Sequence, residues 1–139
     1  MSMHTHYIVR FTLKTQNADN TNGKPRIEFV KSLGFARIHV FPFSAREGTR
    51  AAAMPDQVPK AVREARVKRL IQLGEALSRA YIERLVGNIA EVLFEEYEGD
   101  GAVGYTKEYV RVIVRGAAPG EVRAVRIVEN LGEYALGEM

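Results

Sequence analysis

Apolar and polar positions follow two distinct periods along this chain. Between residues 55 and 86, Val62, Leu70, Leu73, Leu77, Tyr81 and Leu85 recur at spacings of three, four or eight. Those spacings share one face of a helix, so a long helix is predicted there. Pro55 and Pro59 stand near its start, where proline is tolerated, and Gly87 ends it. Gly74 costs the middle of the helix about 1 kcal/mol relative to Ala and marks a place where it can bend. From residue 89 the period shortens to two. Runs at 89–97, 102–106, 109–115, 121–128 and 133–137 are β-rich. Turn signals separate most of them: Glu98-Gly99-Asp100-Gly101, Gly116-Ala117-Ala118-Pro119-Gly120 and Asn130-Leu131-Gly132. Five short strands in about fifty residues predict a small antiparallel barrel of the OB type.

Upstream of the long helix the pattern is more broken. Ile27, Val30, Lys31 and Leu33 give a one-sided helical stretch, with Gly34 as its C-cap. Residues 36–43 are nearly all apolar, interrupted by Arg37 and His39, and read as a buried strand. A helix–Gly–strand unit followed by another helix is a piece of an α/β barrel or parallel sheet. Tyr7 to Leu13 has strand composition, and 14–24 is polar and loop-like. The predicted fold class is α+β: a partial α/β-barrel remnant, a long linker helix, then a carboxy-terminal five-stranded antiparallel OB-like barrel. The connector at 44–54, which carries Arg46 and Arg50, is longer than the few residues a strand-to-helix link needs.

Composition narrows the chemistry. The chain has 139 residues, 46% hydrophobic and 27% charged, which suits one domain or two small ones. No apolar run approaches the roughly 20 residues of a membrane helix. The first residues lack a basic-then-apolar signal pattern. A cytoplasmic protein without a membrane partner is expected. There is no cysteine, so disulfides, thiolate zinc sites and cysteine-ligated iron–sulfur clusters have no ligands here. The net charge of +3 hides an asymmetry: residues 1–80 hold 14 Lys/Arg and 6 Asp/Glu, residues 81–139 hold 6 and 11. A basic half points to an anionic partner on one side, or to ordinary solvated charge.

The candidate residues follow that asymmetry. Lys60, Arg63, Arg66, Lys68 and Arg69 crowd the first half of the long helix. In 109–115, alternation puts Val110, Val112 and Val114 on one face and Tyr109, Arg111, Ile113 and Arg115 on the other. Tyr105 and Lys107 lie just before. An aromatic ring between cations is what single-stranded nucleic acid binding uses, although a half-exposed strand with solvated arginines has the same spacing. His4 and His6 make no metal site, and His39 reads as a buried histidine without ligand duty. Glu95, Glu96 and Glu98 read as a solvated acidic loop. No metal site and no catalytic residue is expected.

The stretch "GFARIHVFPFSAREGTRAAA", from Gly34 to Ala53, resembles the end of the radical-SAM core of tRNA methylthiotransferases. There a Phe/Tyr-Ser-x-Arg-x-Gly-Thr-x-Ala segment follows the last barrel strand. "MPDQVPKAVREARVKRLIQL" is similar to the family's linker helix, and "YIERLVGNIAEVLFEE", "GYTKEYVRVIV" and "GEVRAVRI" look like its tRNA-binding TRAM barrel. The resemblance covers roughly residues 27–139, nearest the branch that modifies threonylcarbamoyladenosine. It implies a divergent segment 1–26, the end of the radical-SAM core at 27–54, a linker helix at 55–86 and a TRAM-like barrel at 87–139. It implies a cofactor-facing loop of Ser44, Arg46, Gly48 and Thr49 at a barrel mouth, since loops after barrel strands build such sites. It implies tRNA as partner. The full-length family uses 4Fe-4S clusters and S-adenosylmethionine. With no cysteine and no Cys-x-x-x-Cys-x-x-Cys motif, this chain is expected to bind no cofactor and to perform no radical chemistry, as a carboxy-terminal piece of such an enzyme. The alternative is a remnant that associates with itself or another protein through the exposed barrel residues.

Overall fold

The computed structural model describes residues 24–139; the strand expected at 7–13, the polar stretch before 24 and His4 and His6 lie outside the described residues. The elements are α1 (Lys24–Ser32), α2 (Lys60–Leu85), β1 (Ile89–Glu98), β2 (Gly101–Thr106), β3 (Arg111–Arg115), β4 (Val122–Asn130) and β5 (Ala135–Glu138).

The five strands close a barrel in the order β1-β2-β3-β5-β4. Closure leaves no open sheet edge. The alternation seen in the sequence sorts residues to the two sides of the wall. Val92 and Phe94 of β1, Ala102 of β2, Val112 and Val114 of β3, Val125 and Ile127 of β4 and Ala135 of β5 are buried and form one core. Four of the five pairings are antiparallel, but β3 and β5 run parallel, Val112 opposite Ala135. The expected wholly antiparallel sheet is corrected at that pair: β4 crosses from β3 to the far side of the barrel, beside β1, and β5 returns next to β3. Register steps between Phe94 and Glu96 and between Ile127 and Glu129 bend the two long strands around the barrel. At Gly104 a Cβ would overlap the Leu93 carbonyl oxygen, so only glycine lets β1 and β2 approach there.

The long helix is part of this barrel. Ile82 is 1% exposed and belongs to the barrel core, with Tyr81, Leu85 and Val86 packed against it. Hydrogen bonds fix the junction: Gly87 N–H donates to Ile127 O at 2.8 Å, and Asn130 Nδ2 donates to Arg79 O at 3.0 Å and to Glu83 Oε2 at 2.8 Å. The last turns of α2 therefore stopper one end of the barrel.

The buried strand expected at 36–43 is not a strand. No described strand pairs with it, and its residues have no ladder partners. It runs antiparallel along α2 instead. Arg84 donates to Gly34 O at 3.4 Å, Ile38 sits over Gly74, and Arg63 Nη1 donates to Phe43 O at 2.6 Å. Extended chain rises about 3.3 Å per residue, giving about 30 Å between residues 34 and 43. The helix rises about 1.5 Å per residue, giving about 31 Å between 84 and 63. The two lengths match, so the contacts stay in step. Ala36, Ile38 and Val40 are half-buried, while Arg37, His39 and Phe41 face outward. His39 is thus exposed, not buried; it stacks on Phe41 with ring centroids 6.5 Å apart. Gly74 lies inside one continuous helix, and a Cβ there would lie 2.7 Å from Ile38 Cγ1. The glycine is a groove for Ile38.

Candidate nucleic-acid interface

The outward side of the β2–β3 hairpin gathers three tyrosines and an arginine. Tyr105, on β2, is in register with Arg111 on β3 and is half-buried. Arg111 lies 5.4 Å from the centre of the Tyr134 ring, a cation–π distance. Tyr134 precedes β5 and was not singled out in the sequence; only the parallel β3–β5 pairing brings it here. Tyr109 does not lie on β3 as expected. The strand begins at Arg111, and Tyr109 occupies the turn before it with φ of 62°. Its ring still meets Tyr105, centroids 6.5 Å apart and planes 49° open.

Every barrel cation expected to meet phosphate has an acidic partner. Lys107 Nζ is 2.6 Å from Glu91 Oε2, Arg115 Nε is 3.0 Å from Asp100 Oδ2, and Arg111 pairs with Glu98 across β2. Glu98 is the end of β1 and holds Arg111, which corrects its assignment to a solvated loop. Arg123 Nε likewise meets Glu121 Oε2 at 3.1 Å. The Lys107 hydrogen bond holds the Glu91 carboxyl below its usual range, and Glu91 raises Lys107 in turn. The net field over this face is therefore weak, and its distinctive chemistry is aromatic.

The cations of α2 divide differently. Lys60 is 3.7 Å from Glu64 in a helical i,i+4 pair. Arg63 is half-buried and anchors residue 43, with its Nε buried and without a hydrogen bond. Arg66 is half-buried as well. Lys68 and Arg69 are exposed, and no ion pair among the described residues engages either. Structure thus brings the tyrosines and Arg111 together, but leaves the helix cations as a separate group along α2.

The 44–54 connector is a surface turn. Thr49 Oγ1 donates to Arg46 O at 2.7 Å and accepts from Ala52 N–H at 3.2 Å. Gln57 Nε2 donates to the carbonyls of Ala51 and Met54, both at 2.9 Å. Ser44, Arg46, Gly48 and Thr49 are all exposed and converge on no cavity. The residues present do not fit an iron–sulfur cluster: the chain has no cysteine, and no described residues group three His, Cys, Asp or Glu side chains. No helix among the described residues is long and apolar enough to cross a membrane. A shallow cavity of about 310 Å³ lies elsewhere on the barrel, lined by Ile89, Ala124, Arg126, Glu138 and Met139.

No protein-family model matches the chain. Individual proteins do. It is 37% identical over 117 residues to the threonylcarbamoyladenosine tRNA methylthiotransferase MtaB of Bacillus subtilis, covering 79% of this chain and 26% of that protein. It is 31% identical over 110 residues to the ribosomal protein uS12 methylthiotransferase RimO of Actinobacillus succinogenes, covering 79% of this chain and 23% of that protein. A RimO of Citrobacter koseri is 30% identical over 144 residues, covering 98% of this chain and 32% of that protein. That last match reaches into the first 26 residues, where no resemblance was expected. The chain spans about a quarter to a third of the length of these relatives. By these similarities the chain belongs with the methylthiotransferases and corresponds to their carboxy-terminal portion.

Proposed function

We propose that this chain contacts tRNA, as the substrate-holding portion of a methylthiotransferase whose radical chemistry resides elsewhere. The observation that carries it is the outward tyrosine–arginine cluster of Tyr105, Tyr109, Arg111 and Tyr134 on a closed OB-type barrel. OB barrels bind nucleic acids on this strand 2–3 face and its flanking loops, and aromatic rings there stack bases. Similarity to a tRNA methylthiotransferase supports the same partner.

Two kinds of contact divide the work. The barrel face stacks bases, because Lys107, Arg111 and Arg115 are already neutralised by Glu91, Glu98 and Asp100. Phosphate attraction comes from Lys68 and Arg69, with Lys60, Arg63 and Arg66 adding positive potential along α2. Ser44, Arg46, Gly48 and Thr49 form the turn that would face a cofactor held by the remainder of a full enzyme. Residues 27–54 would be the end of its radical-SAM core, with α2 joining it to the barrel.

Ribosomal protein uS12, named for the RimO relatives, is the competing substrate. Titrating labelled unmodified tRNA and labelled uS12 against the chain separates them. Saturable binding of tRNA that weakens with salt is expected. Saturable binding of uS12 with none of tRNA overturns the proposal. A second reading, an interaction module, rests on Phe41, which is 82% exposed. Concentration-dependent association in sedimentation, abolished by Phe41→Ser, is its signature.

A further inference from the structure

We infer that the β2–β3 turn is a clip for one unstacked nucleobase, with Tyr105 as its fixed wall and Tyr109 as its movable one. The clip presupposes the RNA-contacting role proposed above and specifies where and how a base is held.

The spacing comes first. Stacked bases follow one another at about 3.4 Å along a strand, so a base slotted between two rings needs walls about 7 Å apart. The Tyr105 and Tyr109 centroids are 6.5 Å apart, with the planes opened by 49°. A planar guest needs the Tyr109 ring to turn towards parallel and to exchange its tilted contact with Tyr105 for stacking on the base.

Mobility of the two walls differs in the required way. Tyr105 belongs to β2, flanked in register by Leu93 of β1 and Arg111 of β3, and is half-buried. Tyr109 is 60% exposed and lies outside the barrel core, so a change in its ring's orientation leaves the core packing in place. Its backbone, by contrast, is pinned. Thr106 is the one buried polar side chain among the described residues. Its Oγ1 accepts the N–H groups of Glu108 at 3.3 Å and Val110 at 3.2 Å. Its carbonyl accepts Tyr109 N–H at 3.0 Å, and its own N–H donates to Val110 O at 3.0 Å. These bonds hold Tyr109 at φ 62°, a left-handed conformation uncommon for a bulky residue. In a regular strand Tyr109 would lie beside Arg111 on the outer face. The left-handed turn takes it out of the strand, where its ring reaches Tyr105.

The guest is a base rather than a phosphate, because the neighbouring cations Lys107 and Arg111 are held by Glu91 and Glu98. Stacking tolerates every base, so the clip selects for an unpaired nucleotide and not for its identity.

The test uses the whole chain and a single-stranded oligoribonucleotide carrying 2-aminopurine, whose fluorescence is quenched on stacking, beside intact tRNA. Binding should quench the probe, and the quench at saturation should persist as salt rises. Tyr109→Phe should keep it. Tyr109→Asn removes the ring while tolerating the left-handed backbone, and should abolish the quench and weaken tRNA binding about fivefold or more, with the salt dependence unchanged. Thr106→Val should reduce the quench while both walls remain. Circular dichroism checks that each variant is folded. If tRNA binds the wild type and Tyr109→Asn equally and both quench alike, the clip is wrong and the RNA-contacting role stands on other residues. If the wild type binds neither tRNA nor oligonucleotide, that role itself fails.

Discussion

Ile82→Ala should destabilise the barrel although Ile82 lies on the helix that precedes it. Its side chain is 1% exposed and sits among Val92, Phe94, Val112, Val125 and Ile127 in a single core. Three buried carbon groups are lost, about 2.4 kcal/mol at ~0.8 kcal/mol each. The cavity left behind raises the loss to about 3–4 kcal/mol. That is a large share of the stability of a small domain, about 5–15 kcal/mol. With a urea slope of about 1.5 kcal/mol per molar, the midpoint should fall by roughly 2 M. The assay is urea denaturation followed by circular dichroism and by tyrosine fluorescence together. Ile71→Ala, on the same helix but 44% exposed, should cost under about 1 kcal/mol. A loss for Ile82→Ala as small as that of Ile71→Ala would refute the stopper. So would two separate transitions, with the helix melting first and the strand signal unmoved.

Other outcomes follow from single features. Gly74→Val should expel Ile38 from its groove, because the new Cβ falls 2.7 Å from Ile38 Cγ1; hydrogen exchange should then quicken across 35–43 while β1 and β2 stay protected. Unchanged exchange would show that 35–43 does not depend on α2. Lys68→Ala with Arg69→Ala should make the log–log salt slope of tRNA binding shallower by about 1.4 if each meets one phosphate, whereas Arg111→Ala should leave the slope alone. The opposite pattern would return phosphate binding to the barrel. Glu91 has its carboxyl lowered from 4.5 by Lys107, so its contribution to stability is present above pH 4.5 and is lost as pH falls through the lowered value. The urea midpoints of wild type and Glu91→Gln should differ at pH 7 and converge in acid; a constant gap would mean the pair does not act through that proton.

The barrel was legible because its information is local. Alternation in 109–115 and 121–128, with glycine-rich turns between, fixed which valines face inward, and the barrel strands were placed to within a few residues. Pairing order was not legible. Nothing in 133–137 says that it runs parallel to β3, because that depends on β4 crossing the barrel first. Tyr134 was missed for this reason: its neighbour Arg111 is remote in sequence, and only the closed strand order joins them. The acidic partners of Lys107, Arg111 and Arg115 were missed likewise, as each lies on another strand or turn.

The segment 35–43 shows where a sequence signal is real but incomplete. Its residues do alternate between half-buried and exposed, and its run along α2 has the length of extended chain. A strand, however, also needs an edge to pair with, and whether one exists is not written in the segment itself. In the described residues the burial comes from α2. The helix offers Gly74 as a recess and Arg63 and Arg84 as donors at its two ends, and the lengths of extended chain and helix agree. The same contacts explain Gly74 better than helix propensity does. Read locally, it is a weak point costing about 1 kcal/mol. Set against Ile38, it is a position where a side chain would push the segment off. Because α2 is held at its far end by the barrel core through Ile82 and meets Phe43 through Arg63, it links the segment before the Arg46 turn to the barrel that carries the tyrosine face. If the proposed clip holds a base, that base is joined to the turn through the barrel core, α2 and the contacts of the 35–43 segment.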